Sequence, residues 1–332
     1  MEPNLRPLTL SEILDRTAQL YRANFLLFAG IAAVYAGVLL ILSLIQIALQ
    51  ELLRAQHMTS QLNWVTGGGI LVLWAAIFLF GGLAVAANNR AVAWVHLGHS
   101  ATIRGAYSSI LPRLGRYLWL MAITTLMVWT PSALLYLGYI GFLYLYARPR
   151  GVLSQAASHA APADMVVFVV TTLVFGLLLL AAFAYAVVMG LRYALAVPAC
   201  VVEELPARKA IRRSIQLSRG SRGRIFVLAL LALVIQIGLL LVTQTFFLVA
   251  GFRHHGDLPA VIRVLQQLVS FCTNTFVAPI YATGLTLFYY DQRIRKEGYD
   301  IEWMMQAAGL TPAEAPSSQE PLALQQPESA HE

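Results

Sequence analysis

Residues 25–48 read FLLFAGIAAVYAGVLLILSLIQIA, an unbroken apolar stretch that contains no Asp, Glu, Lys, Arg or His. A helix needs about 20 residues to cross the roughly 30 Å hydrocarbon core of a bilayer, and this stretch is long enough. Its apolar residues are continuous and do not alternate with polar ones, which favours a helix over a strand of a membrane barrel. The stretch therefore predicts a transmembrane helix.

Five further stretches share this character, at residues 68–87, 118–144, 165–190, 225–247 and 265–289. Of the whole chain, 58% of residues are apolar and 12% are charged, whereas a soluble protein carries about a quarter charged residues. We therefore predict an all-α polytopic membrane bundle of six transmembrane helices, forming a single membrane domain over residues 1–302. Residues 303–332 are polar and rich in proline, which predicts a disordered cytoplasmic tail.

The basic residues are distributed unevenly between the two ends of these spans. Eighteen of the 23 Lys and Arg residues fall in the two terminal segments and in the second and fourth connections, and five fall in the other three connections. Basic segments stay on the cytoplasmic side, so the distribution predicts a cytoplasmic location for both termini. An even number of spans agrees with this.

Three segments on the predicted cytoplasmic side have the sequence pattern of amphipathic helices. One is the N-terminal segment, and the three precede spans 1, 3 and 5. Thr9 and Glu12 have the spacing of a capping box, and apolar residues then recur on one helical face up to Phe25. Residues 102–116 and 206–224 occupy the same position before later spans. We interpret these segments as interfacial helices. Three repeated units of one interfacial helix and one hairpin are one explanation, and the positive-inside rule acting on each connection is the other.

One apolar segment is too long for a single crossing. It continues from residue 165 to residue 202, about 57 Å as a helix, and is interrupted by Arg192 and Pro198. We expect residues 193–202 to form an extension that lies at the interface or is covered by protein.

The densest group of charges is in the fourth connection, and it is our candidate site for binding lipid headgroups or a partner. Its members are Arg208, Lys209, Arg212, Arg213, Arg219, Arg222 and Arg224. Each basic group near an anionic leaflet contributes about 1 kcal/mol of attraction. The alternative is that these residues only determine topology. The net charge of +7 would suggest nucleic acid in a soluble protein, but here we expect the anionic inner leaflet as the partner and no nucleic acid.

Residues able to support catalysis or metal binding are sparse. His96 and His99 are three residues apart on a predicted helix, a spacing that lets both face one metal ion. Zinc takes three or four ligands, however, and this connection offers no Cys, Asp or Glu to complete the set. His254, His255 and Asp257 are interpreted as a polar outer loop. We expect no metal, no cofactor and no catalytic residue. Polar positions inside the last two spans, Gln236, Gln244 and Asn274 among them, could line a path or could join helices by hydrogen bonds.

Three motifs resemble a known family. They are Leu5-Arg-Pro-Leu-Thr-Leu-Ser-Glu-Ile-Leu-Asp-Arg16, Val197-Pro-Ala-Cys-Val-Val-Glu203, and the most specific, Leu287-Phe-Tyr-Tyr-Asp-Gln-Arg-Ile-Arg-Lys-Glu-Gly-Tyr-Asp300. The chain resembles a large bacterial family of uncharacterised membrane proteins that is similar to the membrane domain of glycerophosphoryl diester phosphodiesterases. The resemblance implies the bacterial cytoplasmic membrane and carries no catalytic residue. A catalytic barrel would need about 250 residues, far more than follow Asp300.

Three functions remain after this reasoning. The first is a non-catalytic membrane domain or scaffold whose basic helices contact anionic lipid or a protein partner. The second is a permease or transport accessory for an uncharged or lipid-like substrate, which requires a cavity that reaches Gln236, Gln244 and Asn274. The third and weakest is an enzyme acting on lipid phosphodiesters, which requires at least three convergent His, Asp or Glu side chains.

Overall fold

The computed structural model describes residues 6–150, 161–253, 258–299, 301 and 304–305. In this part of the chain the backbone forms eleven α-helices and no strand. They are α1 (Leu10–Ala23), α2 (Phe25–Ala55), α3 (Thr59–Ala76), α4 (Gly82–His96), α5 (Ile103–Ile110), α6 (Leu114–Phe142), α7 (Pro162–Tyr193), α8 (Ala196–Val202), α9 (Ala207–Ser218), α10 (Arg222–Arg253) and α11 (Ala260–Glu297). A π-helical turn, Ile77–Gly81, joins α3 to α4, and a second one, Leu143–Ala147, extends α6.

Six helical segments among the described residues are long and apolar enough to cross a membrane. They are Phe25–Ala55, Ser60–His96, Ile103–Ala147, Pro162–Val202, Arg222–Phe252 and Ala260–Glu297. The prediction of an all-α bundle with six spans is confirmed, and the chain is a multi-pass membrane protein. The helices extend beyond most of the predicted limits, because the apolar stretch ends at the edge of the hydrocarbon core while the helical hydrogen bonding continues past it.

The predicted amphipathic helices before spans 1, 3 and 5 are α1, α5 and α9. Thr9 caps α1 as expected: its Oγ accepts from the Glu12 amide at 3.3 Å, and its own amide donates to the Glu12 carboxylate at 2.7 Å. The apolar faces of these helices pack against protein, and Ile13, Ala106 and Ala210 have no exposed surface. A short helix followed by two long segments thus occurs three times, and whether the three units are a true repeat stays a prediction.

Residues 193–202 form a bend followed by the short helix α8. Ala196, Ala199, Cys200 and Val201 are completely buried, so the protein-covered alternative is the correct one. Pro198 lies in the first turn of α8, where a helix needs no amide donor, and therefore does not break a helical hydrogen bond. Helix α8 packs against α4 and α9.

Helix α11 is the centre of the bundle and contacts α1, α2, α4 and α10. Its 38 residues span about 57 Å, so its last turns extend beyond a 30 Å hydrocarbon core. Pro131 in α6 and Pro279 in α11 lie inside helices that continue through them. Helices α6 and α7 form a peripheral hairpin joined by stacked rings, with 4.1 Å between the centroids of Tyr139 and Phe175. Most of their remaining surface is apolar and exposed, as expected for helices facing lipid.

Helices α1, α5, α8 and α9 lie together at one end of the bundle, with the last turns of α4 and α11. We call this region the basic end. Many of the largest completely buried side chains lie here, including Ile110, Phe288 and Tyr289. The best-packed part of the protein is therefore the layer that carries most of the charges.

Candidate functional site

Asp291, near the end of α11, is the most buried charge of the basic end, with no exposed side-chain surface. Its carboxylate accepts hydrogen bonds from the Leu8 amide at 2.8 Å, from Arg224 at 3.1 Å and from Arg295 at 3.0 Å. Arg224 and Arg295 also both donate to the Leu8 carbonyl, at 2.8 and 2.6 Å. One carboxylate thus joins the segment before α1, the first turn of α10 and the last turns of α11. It also places the two ends of the described chain on the same side of the bundle.

A second carboxylate, Glu203, links α8, α9 and α11. Arg213 donates to both of its oxygens at 2.9 Å, and the Tyr289 hydroxyl donates to one of them. The other side of the Arg213 guanidinium binds Glu297, with Nη2 to Oε2 at 2.6 Å. Burial alone lowers the pKa of Arg213, but its hydrogen bonds to Glu297 and Glu203 outweigh that effect and raise the pKa. Arg213 therefore stays charged and forms ion pairs with two acids, Glu203 and Glu297.

A third carboxylate, Glu204, joins the turn between α8 and α9 to α4 and α6. It pairs with Arg90 at 3.2 Å and more closely with Arg113. Its backbone carbonyl accepts a hydrogen bond from Arg116. Glu204 has a φ of 53°, a left-handed conformation that is uncommon outside glycine and that aims its carboxylate and carbonyl at these arginines. The hydrogen bond from Arg113, together with the charge of Arg90, lowers the pKa of Glu204 although burial opposes this.

The depressed pKa of Glu204 gives a pH dependence of stability. A carboxylate whose pKa is lower in the folded state contributes stability above its unfolded pKa, near 4.5, and loses it as the pH falls through the folded value. We expect the melting temperature to fall below about pH 4.5, and Glu204→Gln to reduce part of that decrease. The effect should be small because the side chain is 45% exposed. Melting curves of both proteins between pH 7 and pH 3.5 test this, and parallel curves would contradict it.

The seven basic residues predicted as one site have two different roles in the structure. Arg213 and Arg224 are held in the internal ion pairs described above. The other five make no ion pair with any described residue: Arg222 is half-buried, and four are exposed, namely Arg208, Lys209, Arg212 and Arg219. We call these four the basic stripe. Arg208, Arg212 and Arg219 recur at helical spacing along the exposed side of α9 and its C-cap, so they lie on one face.

The basic stripe is held rigidly at its C-terminal end. The Lys296 ammonium donates to the carbonyls of Gln216, Leu217 and Arg219 at 3.1, 2.9 and 2.7 Å. These carbonyls lie at the end of α9, where a helix leaves acceptors free and a cation is favourable. On the opposite side of α9, the Ser214 hydroxyl donates to the Arg192 carbonyl at 2.9 Å.

Sequence reasoning did not identify the acids that organise this end. Glu203, Glu204 and Asp291 are acids in segments whose other charges are mostly basic, and this is the signal that could have found them. An acid close to several cations in the sequence is a candidate for an ion pair that joins helices.

The histidines considered as metal ligands are not brought together with other ligands. His96 is buried and its ring lies 5.0 Å from that of Tyr290, whereas His99 is exposed. Within the described ranges, no three His, Cys, Asp or Glu side chains form a group able to hold a metal ion. His254, His255 and Asp257 lie outside the described residues.

A cavity of about 450 Å³ lies among α2, α4, α6, α10 and α11, within the predicted spans. It is lined by Gln236 and Asn274, two of the three residues that the transport hypothesis requires. Gln244 is not among the lining residues, and its side chain accepts a hydrogen bond from Gln266 at 3.0 Å. The cavity therefore agrees with that prediction at two positions, and at the third the polar side chain joins two helices.

These features define a multi-pass α-helical membrane protein with a rigid basic end and an intramembrane cavity. Comparison of the chain with family models, with curated proteins and with solved structures found no match.

Proposed function

We propose that this is a non-catalytic protein of the bacterial cytoplasmic membrane whose basic stripe binds the anionic headgroups of the inner leaflet. The single observation that carries the proposal is the division of the basic residues. Two of seven are used internally, while four exposed cations without ion pairs lie along a helix fixed by protein contacts, three of them on one face. In this proposal the basic end, with both ends of the chain, faces the cytoplasm.

The arrangement favours lipid binding over a role in topology alone. Basic residues that act only during insertion need to be in the correct connection and need no fixed positions relative to one another. Here Lys296, Glu203 and Glu297 bind α9 or its Arg213, and hold the stripe in place. Four cations at about 1 kcal/mol each give a total that prefers anionic over zwitterionic lipid by orders of magnitude at low salt. A protein partner with an acidic surface is the alternative occupant.

The adjacent pair Arg212 and Arg213 separates lipid binding from stability. We expect Arg212→Gln to leave the melting temperature unchanged and to weaken anionic-lipid binding about fivefold, the equivalent of about 1 kcal/mol. Arg213→Gln should lower the melting temperature by several degrees, because Glu203 and Glu297 lose the closer of their two shared cations and keep only Arg293, at 3.7 and 3.3 Å. Melting curves and lipid binding are measured on the same purified samples. If Arg212→Gln destabilises as much as Arg213→Gln, the division of roles is wrong.

A combined variant tests the whole basic stripe. The protein with Arg208, Lys209, Arg212 and Arg219 all changed to Gln is reconstituted in nanodiscs of mixed phosphatidylcholine and phosphatidylglycerol, and the retained lipid is quantified after gentle extraction. We expect the enrichment of phosphatidylglycerol to fall tenfold or more, and the wild-type enrichment to decrease with added salt. The control carries Arg54→Gln and Arg148→Gln at the opposite end, where Arg54 is already paired with Glu51 and we expect a much smaller decrease. Undiminished enrichment in the fourfold variant would remove the proposal.

The structure supports the other two candidate functions to different degrees. Among the described residues, no three His, Cys, Asp or Glu side chains form a group able to hold a metal ion, so nothing there favours an enzyme that acts on lipid phosphodiesters. The resemblance to the membrane domain of phosphodiesterases therefore supports a membrane role and gives no support to that activity. The function in binding or transporting an uncharged substrate has one favourable observation, the cavity that reaches Gln236 and Asn274.

A further inference from the structure

The charges of the chain are divided sharply near residue 297. All 23 Lys and Arg residues lie at or before residue 296, whereas six of the 16 Asp and Glu residues follow residue 297. Residues 303–332, the segment predicted from its composition to be a disordered tail, contain no Lys or Arg and four acids: Glu314, Glu320, Glu328 and Glu332. We call this segment the acidic tail. It is anionic, and the chain before it is strongly cationic, so the two attract each other.

The basic stripe is the densest group of cations that these acids can neutralise. Its four members are exposed and make no ion pair with any described residue. The sequence of α9, ARKAIRRSIQLS, contains no acid of its own. Arg213, on the same helix, is already bound by Glu203 and Glu297. The stripe thus has no counter-ion in the described part of the chain, and an anionic occupant lowers the repulsion among its cations.

The last turn of α11 leads the chain directly to the stripe. The Lys296 ammonium donates to the carbonyl of Arg219, a member of the stripe, at 2.7 Å. The next residue, Glu297, accepts a hydrogen bond from Arg213 at 2.6 Å. Gly298 then ends α11 with a left-handed φ of 66°. The segment that carries the acids therefore leaves the bundle from a helix end that touches α9 and its C-cap.

The acidic tail is long enough to cover the stripe. Seventeen residues separate Glu297 from Glu314, and at about 3.4 Å per residue they extend to about 58 Å at most. Helix α9, which carries most of the stripe, has 12 residues and is about 18 Å long. The four glutamates of the tail lie at or after Glu314, so chain length keeps none of them from the stripe.

The composition of the tail favours a reversible contact. Three leucines are the only large apolar residues after residue 308, and four prolines oppose a regular helix, namely Pro312, Pro316, Pro321 and Pro327. Exposed ion pairs are individually weak and are screened by salt. Attachment to α11 nevertheless keeps the acids at a high effective concentration beside the stripe. We therefore expect a contact that forms at low salt and that a stronger anionic ligand displaces.

We propose that the acidic tail binds the basic stripe of the same molecule and competes there with the anionic headgroups of the inner leaflet. Its glutamates pair with the four cations without a fixed register. The tail is then an internal competitor, and the stripe is released to lipid where anionic headgroups are dense. The competition rests on the proposed function, whereas the contact between tail and stripe does not depend on it.

Zero-length cross-linking tests the contact, because the chain contains only two lysines, Lys209 in the stripe and Lys296. A water-soluble carbodiimide joins a carboxylate to an amine that touches it and takes up the water that is lost. The full-length protein is treated in non-ionic detergent at low salt, and the monomer band is digested with trypsin. No Lys or Arg follows Lys296, so trypsin releases residues 297–332 as one peptide. We expect a glutamate of the tail in this peptide to be joined to Lys209, with at least fivefold less product at high salt.

A triple variant shows whether the stripe directs the cross-link. Arg208→Gln, Arg212→Gln and Arg219→Gln together remove three cations and keep Lys209 as the reporting amine. The yield at Lys209 should fall at least fivefold. The matched control, Arg54→Gln with Arg148→Gln at the opposite end, should give the wild-type yield. Equal yields in the triple variant and the wild type, or no cross-link in either, would overturn the proposal. A cross-link confined to the dimer band would assign the tail to a second copy and would also overturn it.

Removal of the tail tests the competition with lipid. A stop codon after Ala308 removes the four glutamates and leaves every described residue in place. In nanodiscs of mixed phosphatidylcholine and phosphatidylglycerol, we expect this protein to enrich phosphatidylglycerol about threefold more than the wild type does. The full-length protein with the four glutamates changed to Gln should behave in the same way, because the charge of the tail and not its length is responsible. Wild-type enrichment in both proteins would contradict the competition.

The two proposals can fail separately. If the fourfold Gln variant of the stripe keeps its enrichment of phosphatidylglycerol, the proposed function is wrong, whatever the cross-linking shows. If that enrichment is lost but the wild-type tail gives no cross-link to Lys209, the stripe binds lipid and the inference about the tail is wrong.

Discussion

Asp291→Asn is expected to produce the largest loss of stability of any single substitution that keeps the shape of the side chain. The carboxylate has no exposed surface, and the substitution leaves the guanidinium groups of Arg224 and Arg295 next to a neutral amide. Removing one partner of a fully buried ion pair costs about 3–5 kcal/mol. Since the arginine side chains are 29% and 38% exposed, water screens part of this loss, and we expect about 2–4 kcal/mol.

The substitution should also release the segment before α1, because Asp291 accepts the hydrogen bond of the Leu8 amide. The measurements are the melting temperature in detergent and the proteolysis of the N-terminal segment. The control is Asp15→Asn, an exposed acid of the same end, which should change neither. An Asp291→Asn protein as stable as the wild type would mean that the basic end is held by apolar packing alone.

Ile13→Ala is expected to cost about 2–5 kcal/mol, the range for truncating a fully buried aliphatic side chain. Ile13 has no exposed surface and packs in the same apolar cluster as Leu285 and Phe288 of α11. The large effect follows from the packing of α1 against protein. If α1 lay in the lipid interface, the substitution would only weaken an association with lipid and would hardly change the unfolding of the bundle.

The matched control is Ile41→Ala in α2, where the side chain is 59% exposed and faces lipid. Melting curves of both variants are compared with that of the wild type. We expect Ile13→Ala to lower the melting temperature by several degrees more than Ile41→Ala. Equal effects would show that α1 is not part of the packed bundle.

The six spans could be predicted because the length of an apolar stretch is read directly from the local sequence. The ends of the helices could not be predicted in this way. The second span was predicted to begin at residue 68, after a polar stretch and next to three glycines, but α3 begins at Thr59. Polar residues such as Gln61 and Asn63 continue a helix once it leaves the hydrocarbon core, so hydropathy does not detect the helix end. The π-helical turn at Ile77–Gly81 has no distinctive composition and was not predicted.

The basic residues of the candidate site could be identified from the sequence. Which of them are exposed and which form ion pairs could not. Arg212 and Arg213 are adjacent and chemically identical in the sequence, yet one is exposed and the other binds Glu203 and Glu297. The distinction depends on α11, whose Glu297 is 84 residues away along the chain. Such pairings are set by helix packing, which no local pattern determines.

The lining of the cavity could also be predicted only in part from the sequence. Gln236 and Asn274 were recognisable as polar residues inside apolar spans. Asn88 was not, because it lies one residue beyond the predicted end of its span and so belonged to a connection. The structure continues α4 to His96, and Asn88 lies inside the helix with its side chain buried.

The orientation of the basic stripe is the claim on which the proposed function depends, and the accessibility of position 212 tests it most directly. Arg212→Cys is made in a Cys272→Ser background, where the remaining native thiol, Cys200, is buried. The protein is then treated with a membrane-impermeant maleimide, either in intact spheroplasts or in inverted membrane vesicles. We expect the introduced thiol to be labelled in the inverted vesicles and protected in the spheroplasts. Labelling in intact spheroplasts would place the stripe on the outer side and contradict its contact with the anionic inner leaflet.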